Sequence, residues 1–482
     1  MMTRFIPVML AGVLLSSCTM ISSLERPNMP IPANYPEGLA YNADLSGEQE
    51  QSLHDIAWQN FFKDETLKAL IAEGLNNNND VKTAVLNISE ARALYGIQRS
   101  DLIPDIEAGG GYTRQKLRAG RTSGATSATS SGTQDNIITE NYSVNLGFTA
   151  YELDFFGRVQ SLNEAALNRY LSSLSALETV RLTLIAEIAS AYVSLRANQA
   201  LLNLARETLQ SRKESFDLIA KRLKEGVATD LELVQAETLL LQSRVDLFEY
   251  RNAVAQDMNA LRLLMGTPQN MPDLVDTDAD MDFDGFLLDV PAGMPADLLF
   301  HRPDIRQAEF LLYSANADIG AARAAFFPRI SLTTSAGYRS GDLDDLFSDA
   351  TQVWSFAPQI ELPIFTGGRL KNNLDLAKIR KEKAVVEYES VIESAFRDVA
   401  DSLSAVSTYE GRIEAQQNLV NAAKKRVDLS TLRYDSGVEN YLAVLDSKRE
   451  FYTARQNLVL QRAAGIHAKI GLYKSVGGGV AQ

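Results

Sequence analysis

The chain has 482 residues, 45% of them hydrophobic, and a formal net charge of −14. That length and apolar share allow several ordinary domains with a large core. The acidic balance excludes nucleic acid as a partner, because little here would neutralise phosphates; it fits either a water-filled conduit or an ordinary solvated surface. Three histidines, His54, His301 and His467, stand far apart without metal-ligand spacing, and neither a His-Glu-x-x-His nor a nucleophile-elbow motif occurs. Each histidine reads as a surface or packing residue, and no residue set points to an enzyme, a cofactor or a metal centre.

The N-terminus reads as a targeting segment. Arg4 precedes a short apolar run from Phe5 to Leu15, and Ser16, Ser17 and Cys18 follow. A charged start, a short apolar core and small residues describe a secretory signal over 1–17, too short for a membrane span. Leu15-Ser16-Ser17-Cys18 resembles the bacterial lipobox, which implies cleavage before Cys18 and lipid on its thiol and new amino terminus. Thr19 in place of Asp then favours sorting to the outer membrane. A secretory signal with an incidental cysteine is the alternative. Cys18 is the chain's single cysteine, so no intrachain disulfide can form. Prolines from Pro27 to Pro36 and polar residues to Gln51 make 18–63 an extended arm.

From Asp64 a helical pattern carries Leu67, Leu70, Ile71 and Leu75; Asn76 to Asn79 interrupt it, and Asp80 is placed to cap the next helix, which runs to Pro104. Alternation then replaces the helical period. Ile106, Ala108, Gly110 and Tyr112 form one candidate strand, and Tyr142, Val144, Leu146, Phe148 and Ala150 form a second, within a hairpin over 105–156. Arg158 to about Lys224 contains neither proline nor glycine. As one helix it would span about 100 Å. Glu225-Gly226-Val227 breaks it, and a second helix runs to about Met265. Val227, Leu231, Val234, Leu241, Val245, Phe248 and Ala255 step along it as a coiled-coil seam. The residues 266–295, rich in Pro, Asp and Met, read as a linker.

The same order then recurs. Gly96, Arg99 and Pro104 match Gly320, Arg323 and Pro328 at an offset of 224; Gly157-Arg158, Gly226-Val227 and Arg244 match Gly368-Arg369, Gly437-Val438 and Arg455 at an offset of 211. The difference, 224 − 211 = 13, falls between Pro104 and Gly157, where the Ser/Thr/Gly run Ala119–Thr133 makes a longer surface loop in the first copy. So 64–265 and 296–474 are tandem repeats of helix, β-hairpin, long helix, turn, long helix. In the second, the hairpin lies over 329–366, with strands Ile330–Tyr338 and Trp354–Ile364, and the long helical hairpin over 367–474, with Val438, Leu442, Leu445, Tyr452, Val459, Ala463 and Ile466 on its seam. Residues 475–482 form a glycine-rich tail.

Four strands cannot close a barrel, and lipid does not tolerate open sheet edges. Three copies would give twelve strands, within the range of outer-membrane barrels. The expected fold is therefore a mixed α/β membrane protein: a trimeric 12-stranded β-barrel, four strands per chain, continuous with a long α-helical barrel.

The residues that carry a family resemblance now lie in order. They are Tyr151-Glu152-Leu153-Asp154, Phe156-Gly157-Arg158, Arg302-Pro303-Asp304-Ile305, Ala315–Pro328, Leu362-Pro363-Ile364-Phe365, Gly437-Val438-Glu439-Asn440-Tyr441 and Leu445-Asp446. Together they resemble the outer membrane factor, or TolC-like, family, in its lipoprotein branch serving multidrug efflux pumps of the resistance–nodulation–division class. The resemblance implies a homotrimeric exit duct for small molecules, anchored in the outer membrane and reaching into the periplasm. It implies a periplasmic membrane-fusion adaptor and an inner-membrane transporter as partners, and no cofactor beyond the lipid on Cys18. It also implies a resting gate at Tyr434, Leu442 and Asp446, and adaptor contact at the hairpin tips Gly226, Val227, Gly437 and Val438. Asp446 would form an acidic ring and Leu442 an apolar constriction; the alternative is a surface carboxylate paired with Arg449. Heavy-metal efflux, type I protein secretion and a lipid-anchored scaffold without a pore are the alternative functions.

Overall fold

A computed structural model describes residues 20–24, 26–27, 31–32, 35–36, 38, 40–41, 56–118, 136–266, 274, 287 and 301–479. The signal segment, Cys18, most of 266–295 and the last three residues lie outside the described residues. Helices are α1 (Trp58–Phe61), α2 (Glu65–Asn77), α3 (Asn79–Ser100), α4 (Arg158–Lys224), α5 (Asp230–Met265), α6 (Pro303–Ala324), α7 (Arg369–Asp435) and α8 (Tyr441–Ser475); strands are β1 (Glu107–Arg118), β2 (Asn136–Leu153), β3 (Arg329–Ser340) and β4 (Gln352–Glu361). No described helix is long and apolar enough to cross a membrane. The chain divides into two compact units.

One unit comprises Ser89–Leu171 and Phe310–Val386, with the N-terminal residues to Pro27. Its sheet has the order β1-β2-β3-β4, antiparallel throughout. Among the described residues the outer edges of β1 and β4 have no partner. Pro358, which cannot donate to a ladder, sits on the edge strand β4. That strand ends at Glu361, short of the Ile364 expected from the alternation, because Pro363 cannot continue the pairing. A bulge between Phe148 and Tyr151 shifts the β2–β3 register. There Ala150 takes φ 56° and its N–H donates to Thr333 Oγ1 at 3.0 Å. The bulge corrects the reading of the repeat: one of the 13 extra residues lies in β2, not in the loop. Asp154 ends the strand and starts α4, its two carboxylate oxygens accepting from the N–H groups of Arg158 at 2.7 Å and Gln160 at 2.8 Å.

The other unit comprises Asn28–Ile88, Ser172–Glu309 and Glu387–Gln482. Its core gathers Phe61, Phe62, Leu67, Leu70 and Ile71 with Ile185, Ile188 and Leu195 of α4 and Tyr473 of α8, all fully buried. Phe61 stacks on Tyr473 at 4.2 Å. Between α2 and α3 the cap is Asn78, not Asp80: its Oδ1 accepts from the N–H groups of Asp80 at 2.7 Å and Val81 at 3.3 Å. The asparagine run thus interrupts the helix at one residue only. Asn78 is favoured because its amide also donates to the Leu264 carbonyl, which a carboxylate could not do.

The coiled-coil seam expected on α5 is not covered within the chain. Val234, Leu241, Val245 and Phe248 are each more than half exposed, as are Val227 and Leu231 before them. The face that α5 buries is instead Ala236, Ser243, Leu247, Val254, Met258, Leu261 and Met265. The helix carries two apolar stripes, and its own chain covers one. On α8 the expected seam is covered from Leu445 onward at Leu445, Ala463 and Ile466, while Val438 and Leu442 are exposed.

Candidate gate and hairpin tips

The two long hairpins turn in the same way. Gly226 and Gly437 take φ 76° and 75°, the left-handed region that a β-carbon disfavours. Val227 N–H returns to the Arg222 carbonyl and Gly226 N–H to Leu223; Val438 and Gly437 repeat this with Arg433 and Tyr434. Both are Schellman endings. The following helices are capped differently: Thr229 and Glu232 form a reciprocal capping box on α5, and Asn440 accepts from Ala443 N–H on α8. Val227 and Val438, 71% and 66% exposed, therefore stand out at each tip as apolar points on rigid turns.

Next to the tips, α8 packs into the pair α4 and α5. Ile219, Ala236, Tyr441, Val444 and Leu445 form a buried cluster, with Tyr434 at its margin. Tyr434 and Tyr441 lie 5.2 Å apart. Arg222 Nη1 donates to Tyr434 Oη at 3.0 Å, its guanidinium lies over the Tyr434 ring at 5.3 Å, and it reaches Asp435 at 3.9 Å. Arg433, the equivalent of Arg222 in the second repeat, instead binds Glu439 in its own turn at 2.7 Å. Sequence reading missed Arg222; aligning it with Arg433 one turn before the glycine would have singled it out.

Of the expected gate residues, Tyr434 is engaged by Arg222 while Leu442 stays exposed. Leu442 and Asp446, four apart, share one face of α8. Asp446 accepts from Arg449 at 2.8 Å, the pairing weighed above as the alternative to an acidic ring. Burial pushes the Tyr441 hydroxyl up from its ordinary value. Burial and then Arg212 push the Lys448 ammonium down, and burial lowers Arg212 itself. Among the described residues no group of His, Cys, Asp and Glu could hold a metal ion.

Two repeats that each carry a β-hairpin and a helical hairpin of 67 and 35 or 36 residues, with exposed tips and, among the described residues, unpaired sheet edges, define an outer-membrane channel protein. The model of the family described as outer membrane efflux protein matches residues 70–267 and 294–478, and the chain belongs to that family. It is 43% identical to the probable efflux pump outer membrane protein SepC of Pseudomonas putida, over 99% of this chain and 97% of that one. It is 37% identical to the outer membrane protein OprJ of Pseudomonas aeruginosa, over 98% and 95%. Among solved structures it resembles the open state of the Neisseria gonorrhoeae MtrE outer membrane channel, with TM-score 0.83 and 35% identity over 96% of this chain and 99% of that one.

Proposed function

We propose that this chain is the outer-membrane exit duct of a tripartite efflux pump. As a homotrimer it passes small molecules, such as antibiotics and organic solvents, from the periplasm to the exterior, working with a periplasmic adaptor and an inner-membrane resistance–nodulation–division transporter. The observation that carries this reading is the duplicated hairpin pair: four strands whose two outer edges are unpaired among the described residues, and two long helical hairpins. Three copies close both layers into one conduit. The duct needs no covalent chemistry; its work is to open and shut. Cys18 carries the lipid anchor. Asp446 and Leu442 line the closed periplasmic aperture, Tyr434 is held beside them by Arg222, and Val227 and Val438 at the tips meet the adaptor, whose binding energy favours the open state.

The test is single-channel conductance of the purified trimer in planar bilayers, with Asp446→Ala beside the wild type. A small, cation-preferring conductance that rises and loses its cation preference in the variant is expected. A trimer that inserts but conducts in neither form would overturn the channel reading. Equal conductance in both forms would remove Asp446 from the gate.

A further inference from the structure

Resting on the duct proposed above, we infer that Arg212 and Lys448 form a buried cation couple without a counter-ion, which opposes the seating of α8 on α4 and so sets how readily the candidate gate residues leave their place. Leu442 and Asp446 stand on the turns of α8 between Tyr441 and Lys448. Whatever holds or loosens those turns positions both of them.

Two charged residues are buried among the described residues, Arg302 at 9% exposure and Arg212 at 6%. Their surroundings differ. Arg302 donates to both carboxylate oxygens of Asp304, at 3.1 and 2.7 Å, and to the Ser475 carbonyl at 2.6 Å. A buried charge is normally paired in this way. Arg212 has no salt bridge among the described residues, and its buried Nη1 donates to nothing there. The charges it feels come from the hydroxyls of Tyr441 and Tyr452 and from the cation of Arg449; no carboxylate is among them. Both tyrosine hydroxyls are themselves buried without a partner among the described residues.

The second cation meets the first across the helix interface. Arg212 and Ser215, three apart on α4, share a face, and Ser215 Oγ accepts from Lys448 Nζ at 3.2 Å. The ammonium therefore ends on a neutral hydroxyl one turn from the guanidinium. Burial and then the charge of Arg212 make Lys448 a weaker holder of its proton, while Asp435 acts the other way.

On the tip side of this couple the same two helices meet through Ile219 of α4 and Tyr441, Val444 and Leu445 of α8. The interface thus has an apolar layer that favours contact. Beside it, on the next turns, two cations lose water and gain no counter-ion. The two layers act on one segment of α8 in opposite senses. At the 211-residue offset Arg212 corresponds to Ala423 and Lys448 to Glu237, so the couple belongs to this one contact and the other repeat lacks it. For packing alone, an apolar side chain of the same length would hold the helices better. The guanidinium instead makes them easier to part.

The test uses the full-length trimer and reads its unfolding temperature and its open probability in planar bilayers. Arg212→Met keeps the length and removes the charge. It should raise the unfolding temperature by about 2 °C. It should also move open probability about tenfold in the direction opposite to Arg222→Leu, which removes a contact that is made. Lys448→Met should act in the same sense as Arg212→Met. The two together should give less than the sum, because either change alone ends the repulsion. Lys448→Glu, which turns repulsion into an ion pair, should give the largest shift. Arg212→Lys keeps the charge and should leave both readings near those of the wild type. An unchanged or lower unfolding temperature for Arg212→Met, or its failure to assemble, overturns the inference. So does a Lys448→Glu effect opposite in sign to that of Lys448→Met. A wild-type trimer that does not conduct sinks the duct, while the unfolding temperatures still judge the couple.

Discussion

Replacing Arg222 with leucine tests whether the contacts between α4 and the end of α7 hold the tips shut. In this structure Arg222 Nη1 donates to Tyr434 Oη at 3.0 Å, and its guanidinium stands 3.9 Å from Asp435 with the two side chains 33% and 58% exposed. A charge-assisted hydrogen bond contributes about 1.5 kcal/mol. The ion pair is screened at that exposure and adds about 0.5 kcal/mol. The loss is therefore about 2 kcal/mol per chain. If the three tips move together, the trimer loses about 6 kcal/mol of preference for the closed state, a shift of roughly 10⁴ in the ratio of open to closed. If each tip moves alone, the shift is about 30-fold at each. Open probability in planar bilayers reads the difference directly, and Arg222→Lys, which keeps the charge and loses the planar fork, should fall between. An Arg222→Leu trimer of normal mass whose open probability equals that of the wild type would refute the argument.

Three further outcomes are expected. Gly320→Ala would place a β-carbon 2.8 Å from both Ile21 Cγ1 and Ser161 Oγ, so it should cost about 1–3 kcal/mol by overpacking and expose the arm to protease at Met20–Ser22, seen as earlier N-terminal cleavage. Tyr473→Phe keeps the stack on Phe61 but removes the hydroxyl that lies 3.0 Å from the Ile56 carbonyl and 3.1 Å from that of Gly479; loss of about 1–2 kcal/mol is expected, read as a lower Tm. Burial holds the His467 imidazole below its ordinary value of 6.5. The unfolded chain then takes up the proton first, so stability is fully present above pH 6.5 and falls as pH drops below it; thermal melts from pH 7.5 to 5 should show that fall, and His467→Gln should flatten it.

The tandem repeat, the four strands and the two glycine turns were legible in the sequence because each has a local cause. Alternation, helical periodicity, proline and the need for a left-handed φ all act within a few residues. The boundaries that were misread depend on partners far away in sequence. Asn78 outcompetes Asp80 as a cap because the Leu264 carbonyl waits for its amide. The extra residue in β2 shows itself as a bulge only when β3 lies alongside.

The seam on α5 marks the limit most clearly. Periodicity correctly finds an apolar stripe through Val234, Leu241 and Phe248, but it carries no information on which surface covers that stripe. Tertiary structure decides that the chain's own helices cover the other face, with Leu247, Val254 and Leu261, and leaves the first for something else. At the candidate gate the sequence fixes residue types and spacing, setting Leu442 and Asp446 on one face of a helix. Only packing decides that Arg222, 212 residues before Tyr434 in the chain, is the group that reaches it. Local propensity is written in neighbouring residues; burial and pairing are properties of surfaces that exist only once distant segments have met.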